Sequence, residues 1–110
     1  MKETDQNLFE EILRNNQKPI VVVCYMSEKI CPLSIEMVKM VADVSEKRQD
    51  FDFYSLNALG NIDYTDAFSI NDVPTTNIFF KGRDEVKIEG LILQTKFIQK
   101  LDEFLAGIKK

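Results

Sequence analysis

The chain has no histidine at all among its 110 residues. That removes the usual general base and the commonest zinc ligand, so hydrolytic triads and zinc-enzyme chemistry are set aside and no metal site is expected. Glycine and proline are scarce, four and three residues, against 45% hydrophobic and 29% charged. Disordered and collagen-like chains have the opposite balance. Long apolar runs are missing too. The longest, Ile20 to Met26, is seven residues, too short to span a bilayer, and the polar start Met1 to Asn7 lacks the apolar segment of a signal peptide. Cationic excess is also absent: 14 basic against 18 acidic residues leave a net charge of −4, which disfavours phosphate backbones and anionic lipids. No nucleic-acid or membrane partner is expected, and a reducing, cytoplasmic setting follows by default.

Cysteine is limited to Cys24 and Cys31. Two thiols make no disulfide framework, and these two could pair only by distorting the chain between them. Cys24 lies inside an unbroken apolar run and reads as a small buried hydrophobe.

The apolar pattern suits one domain over residues 1–110. Leu8, Phe9, Ile12 and Leu13 recur at helical spacing and predict a short helix ending near Asn15-Asn16. Ile20 to Met26 predicts a strand covered on both faces. From Pro32, the positions Leu33, Ile35, Met37, Val38, Met40, Val41 and Val44 predict a long helix closed by Glu46-Lys47-Arg48. Phe51 to Leu56 reads as a strand, Asn57 to Asn61 as a turn, and Ile62, Ala67 and Phe68 as the marks of a short helix. Thr75 to Phe80 and Glu85 to Glu89 predict two strands joined at Lys81-Gly82-Arg83-Asp84. Phe97, Ile98, Leu101, Phe104 and Leu105 predict a last helix ending at Gly107, with Lys109-Lys110 near its negative end. The order α-βαβ-α-ββα implies an α/β fold with a mixed four-stranded sheet sandwiched by helices.

Cys31 then stands at the first strand-to-helix junction, on the sheet edge where ligands of open α/β folds bind. It occupies the N-cap position, with Pro32 pre-organised at the first helical position. Free backbone N–H groups and the helix dipole at that place favour thiolate over thiol, and Lys29 adds a positive charge that Glu28 offsets. A cysteine at such a junction is nevertheless as readily an ordinary small residue. Three residues later stands Ser34, whose hydroxyl cannot attack a mixed disulfide as a second thiol would. Another thiol would have to release whatever Cys31 captured.

Lys18-Pro19-Ile20-Val21-Val22-Val23, Cys31-Pro32-Leu33-Ser34, Val73-Pro74-Thr75, Lys81-Gly82 and Gly90 together resemble the thioredoxin family, along essentially the whole chain. The resemblance implies a thioredoxin-like fold. It also implies a cis Pro74 opposite Cys31, and a polypeptide-binding platform of Ile30, Pro32, Val73, Pro74 and Thr75 around Cys31 as nucleophile, with Ser34 in the place of the resolving cysteine. Taken alone, Pro74 also suits the first position of a strand. The sequence departs from the family pattern elsewhere. The tryptophan before the motif is Ile30, the buried aspartate is Val23, a commonly associated lysine corresponds to Ser55, and the segment from Met26 to Ile30 is longer than usual.

The function expected is monothiol thiol-disulfide exchange or mixed-disulfide formation through Cys31. Protein thiols or disulfides, and also glutathione, are the partners, and a monomer without cofactor is expected. The competing expectation is a redox-inactive interaction module of the splicing-factor or phosducin-like type. A monothiol glutaredoxin holding an iron–sulfur cluster fits less well, because Cys31-Pro32-Leu33-Ser34 lacks the glycine that family places after its cysteine.

Overall fold

In the computed structural model, residues 1–108 are described, and the terminal pair Lys109-Lys110 lies outside them. The elements run β1 (Lys2–Thr4), α1 (Gln6–Asn15), β2 (Ile20–Tyr25), α2 (Pro32–Ser45), β3 (Asp52–Asn57), α3 (Ile62–Ala67), β4 (Thr75–Phe80), β5 (Arg83–Glu89) and α4 (Gln94–Ile108). The sheet order is β1-β3-β2-β4-β5, with β1 and β2 parallel to β3, β2 antiparallel to β4, and β4 antiparallel to β5.

The sheet is mixed, as the pattern predicts, but it has five strands rather than four. The added strand, β1, holds three residues, and only Thr4 among them is buried. So short a segment shows no hydrophobic period. Its pairing with Tyr54, Ser55 and Leu56 is a backbone contact that polar side chains do not announce.

Central β2 divides the core by the pleat. Val21 and Val23 face Met37, Val41 and Val44 of α2 and Phe97 and Leu101 of α4, whereas Ile20, Val22 and Cys24 face Phe9 of α1, Tyr64 of α3 and Phe79. Removing three such valines from water stabilises the fold by about 1.5–3 kcal/mol each. On the α1/α3 side, Phe9 packs edge-on against Tyr64, Phe68 and Phe79 with ring centroids 5.2, 5.9 and 4.9 Å apart. Those contacts use the ring quadrupoles as well as the area.

Helix ends are closed by specific donors and acceptors. Asp5 caps α1 by accepting from the N–H groups of Asn7 and Leu8, both at 2.9 Å. Gln6 and Asn61 then cap each other's helices. The Asn61 side-chain oxygen accepts the Gln6 N–H at 2.9 Å, and the Gln6 side-chain oxygen accepts the Asp63 N–H at 2.8 Å. This reciprocal pair ties α1 to the start of α3.

The β4–β5 turn is tighter than the four residues expected from sequence. Lys81 and Gly82, at φ 52° and 79°, form the loop alone, and a two-residue loop with both φ positive matches the twist of its strands. Register then slips by one at a bulge: Ile78 faces Val86 but Phe79 faces Asp84. Among the described residues, no helix is long and apolar enough to cross a membrane.

Candidate active site

β2 ends at Tyr25, and the chain loops through Met26 to Ile30 before Cys31 and Pro32 begin α2. The loop closes on itself, since the N–H groups of Ile30 and Cys31 both donate to the Ser27 carbonyl, at 3.0 and 2.9 Å. Cys31 is the N-cap residue, with Pro32 in the first turn.

The thiol, however, caps nothing. Its side chain makes no hydrogen bond to the helix N–H groups, contrary to the contact expected from sequence. With Cys31 at φ −145° and ψ 88°, Sγ lies across a cleft from the Val73 carbonyl oxygen, at 3.6 Å, where an S–H can donate. The tertiary neighbour takes the place of the local one. Cys31 is half-buried.

The opposite wall is Asp72 to Thr75. The Val73–Pro74 bond is cis. Thr75 Oγ1 donates to the Asp72 carbonyl at 2.6 Å, and the Pro74 carbonyl accepts the Gly90 N–H at 2.8 Å, so the turn is fastened on both sides. Of the residues expected to face a partner, Ile30 and Pro32 are exposed and Val73 is half-buried, while Pro74 and Thr75 are covered. Thr75 is committed to shaping the turn.

Ser34 is fully buried, and its hydroxyl is a fastening. Oγ accepts the Met26 N–H at 3.1 Å and lies 2.8 Å from both the Met26 and Cys31 carbonyl oxygens, which share its one proton. One side chain thus joins the end of β2, the cysteine and the first turn of α2. Sequence reasoning found the position but not this role. The only available signal was the general habit of serine hydroxyls to bond nearby backbone.

A groove of about 520 Å³ runs beside the thiol, between Ile30 and Cys31 on one side and Asp72 and Val73 on the other, continuing to Leu59 and Ile62. Leu59 and Ile62 escaped sequence reading because nothing local marks an exposed leucine or isoleucine as part of a groove. Cys24 is a different kind of thiol. It is fully buried, and loss of hydration pushes its pKa up to about 12, leaving it protonated and inert at neutral pH.

Val23 and Ser55, which the resemblance matches to the family's aspartate and lysine, are paired across β2 and β3. A carboxylate arrives there from elsewhere. Glu3 of β1 accepts from Ser55 Oγ at 2.7 Å and from the Tyr25 hydroxyl. Burial, then the hydrogen bond to Glu3 and its charge, push the Tyr25 pKa up to about 12. Glu3 was invisible to sequence reading because β1 was. Among the described residues, no group of three or more His, Cys, Asp or Glu is placed to hold a metal ion.

Comparison with known proteins agrees with this architecture. The crystal structure of thioredoxin f2 from Chlamydomonas reinhardtii superposes with a TM-score of 0.84 at 19% identity, covering 94% of this chain and 95% of that one. A chain from a study of the thiol-resolving mechanism in yeast mitochondrial 1-Cys peroxiredoxin via glutathione/thioredoxin systems superposes with a TM-score of 0.79 at 18% identity, covering 94% and 93%. At such identities the likeness is one of fold. No curated protein sequence gives a significant match. The thioredoxin family model matches residues 1–103, and by that match the chain belongs to the thioredoxin family.

Proposed function

We propose that the chain carries out thiol-disulfide exchange through one thiol, Cys31, on polypeptide partners that pair with the backbone at Val73, beside the covered Pro74 and Thr75. The observation that carries this reading is the 3.6 Å contact of Cys31 Sγ with the Val73 carbonyl, beside an open groove at the start of α2. Membership of the thioredoxin family supports it, since the same edge of the sheet then carries the chemistry.

In the exchange, Cys31 loses its proton to solvent and its thiolate attacks one sulfur of a partner disulfide. A Cys31–partner S–S bond forms as the partner's other sulfur leaves as thiolate. Ser34 brings no sulfur, so the mixed disulfide persists until a second thiolate attacks it and Cys31 departs reduced. That second thiol belongs to the partner or to a small molecule such as glutathione. Ile30 and Pro32 flank the attacking sulfur, and the backbone at Val73 offers strand-like pairing to an extended segment.

The test is the alkylation rate of Cys31 at pH 7 against a free-cysteine peptide, with mass spectrometry of the adduct formed with a disulfide-containing peptide. Faster alkylation and an adduct lost in Cys31→Ser are expected. Alkylation no faster than the free peptide overturns the proposal. Partner binding that survives Cys31→Ala would then mark an interaction module.

A further inference from the structure

The groove beside Cys31 is uneven in its chemistry. Ile30, Leu59 and Ile62 line it while remaining 56%, 56% and 66% exposed, so its walls present apolar surface that only an occupant would cover. The charged side chain among the lining residues is Asp72, an exposed carboxylate on the turn that faces the thiol. None of the described residues lining the groove is lysine or arginine. Lys29, the nearest cation along the chain, lies outside the lining and beside the opposing Glu28.

We infer, on the basis of the reading of Cys31 above, that the groove selects an extended polypeptide whose cysteine is flanked by an apolar residue and by a lysine or arginine. Asp72 is the specificity-determining residue, and glutathione is disfavoured as the species held there. Glutathione carries two carboxylates against one ammonium, finds a carboxylate and no cation in the groove, and brings no apolar side chain to cover Ile30, Leu59 and Ile62. A basic, apolar segment supplies both complements. The net charge of −4 adds a weaker field in the same sense, which speeds the encounter with cations and slows it with anions.

The experiment uses the full chain and three thiols, each activated as a mixed disulfide with thionitrobenzoate. Two are short peptides identical except for arginine or glutamate beside the cysteine, and the third is glutathione. Attack by the Cys31 thiolate joins the peptide sulfur to Cys31 and expels thionitrobenzoate, whose absorbance is followed. Each rate is divided by that of a free-cysteine peptide with the same substrate, which removes intrinsic differences in reactivity.

The arginine peptide is expected to react about fivefold faster than the glutamate peptide at low ionic strength, the size of effect that partly exposed charge pairs produce. Glutathione should be slower still. The preference should shrink toward unity in Asp72→Asn and in salt concentrated enough to shorten the Debye length to a few ångströms. Fast exchange that is blind to the charge, or a preference unchanged in Asp72→Asn, overturns this inference alone. Exchange no faster than the free peptide with all three substrates overturns it together with the proposed function.

Discussion

Replacing Ser34 by alanine removes one oxygen and strips three backbone groups of a partner. The Met26 N–H loses its acceptor, and the Met26 and Cys31 carbonyls lose the proton they share. Because Ser34 is fully buried, water does not simply take the hydroxyl's place. An unsatisfied buried donor costs about 1–3 kcal/mol and a lost net hydrogen bond about 0.5–1.5 kcal/mol. The cavity left by a single oxygen adds little, so Ser34→Ala should destabilise the fold by about 2 kcal/mol, a large share of the roughly 5–15 kcal/mol typical of a domain this size. Urea denaturation measures it: the midpoint should fall by about 1 M or more at unchanged slope. Ser45→Ala is the control, since Ser45 Oγ makes one bond to the Ala42 carbonyl at the far end of α2. It should stay within about 1 kcal/mol of wild type. A Ser34→Ala loss below about 0.5 kcal/mol, or no larger than that of Ser45→Ala, refutes the idea that this hydroxyl fastens the loop.

Other outcomes follow from the same geometry. A coloured thiol reagent at pH 7 should titrate one cysteine in the native protein and two in denaturant, because Cys24 is buried and protonated; two fast native thiols would contradict the burial. Stability should fall as pH rises from about 9 toward 12. Cys24 and Tyr25 both hold their protons up to about 12 in the fold, against 9.0 and 10.0 when unperturbed, so in that window the unfolded state binds fewer protons. Cys24→Ala should flatten the first part of the fall, and an unchanged pH profile would contradict this assignment. Gly82→Val should cost about 1–2 kcal/mol, since position 82 sits at φ 79° and a β-branched residue meets the left-handed penalty there. Thermal or urea unfolding checks it, and a neutral result would mean that the hairpin turn relaxes to another form.

Much of the fold is written in the order of the residues. The buried run from Ile20 to Cys24, the three-to-four spacing after Pro32 and the strand from Thr75 to Phe80 are local patterns imposed by the pleat and the helical turn. Such patterns are legible because they depend only on neighbours in sequence. The approach of Cys31 to the cis Val73–Pro74 turn was legible too, through resemblance and the topology of a βαβ unit.

Tertiary structure decided the rest, wherever a contact joins residues far apart in the chain by polar or backbone groups. β1 exists because β3 offers it a ladder, and with it Glu3 reaches Ser55 and Tyr25. Cys31 turns away from its own helix because the Val73 carbonyl lies across the cleft. Ser34 reads in sequence as an absent thiol and in the fold as a hydroxyl holding three backbone groups. A hydrogen bond needs a partner at a set distance and angle, and spacing along the chain specifies that only within a turn of the same element.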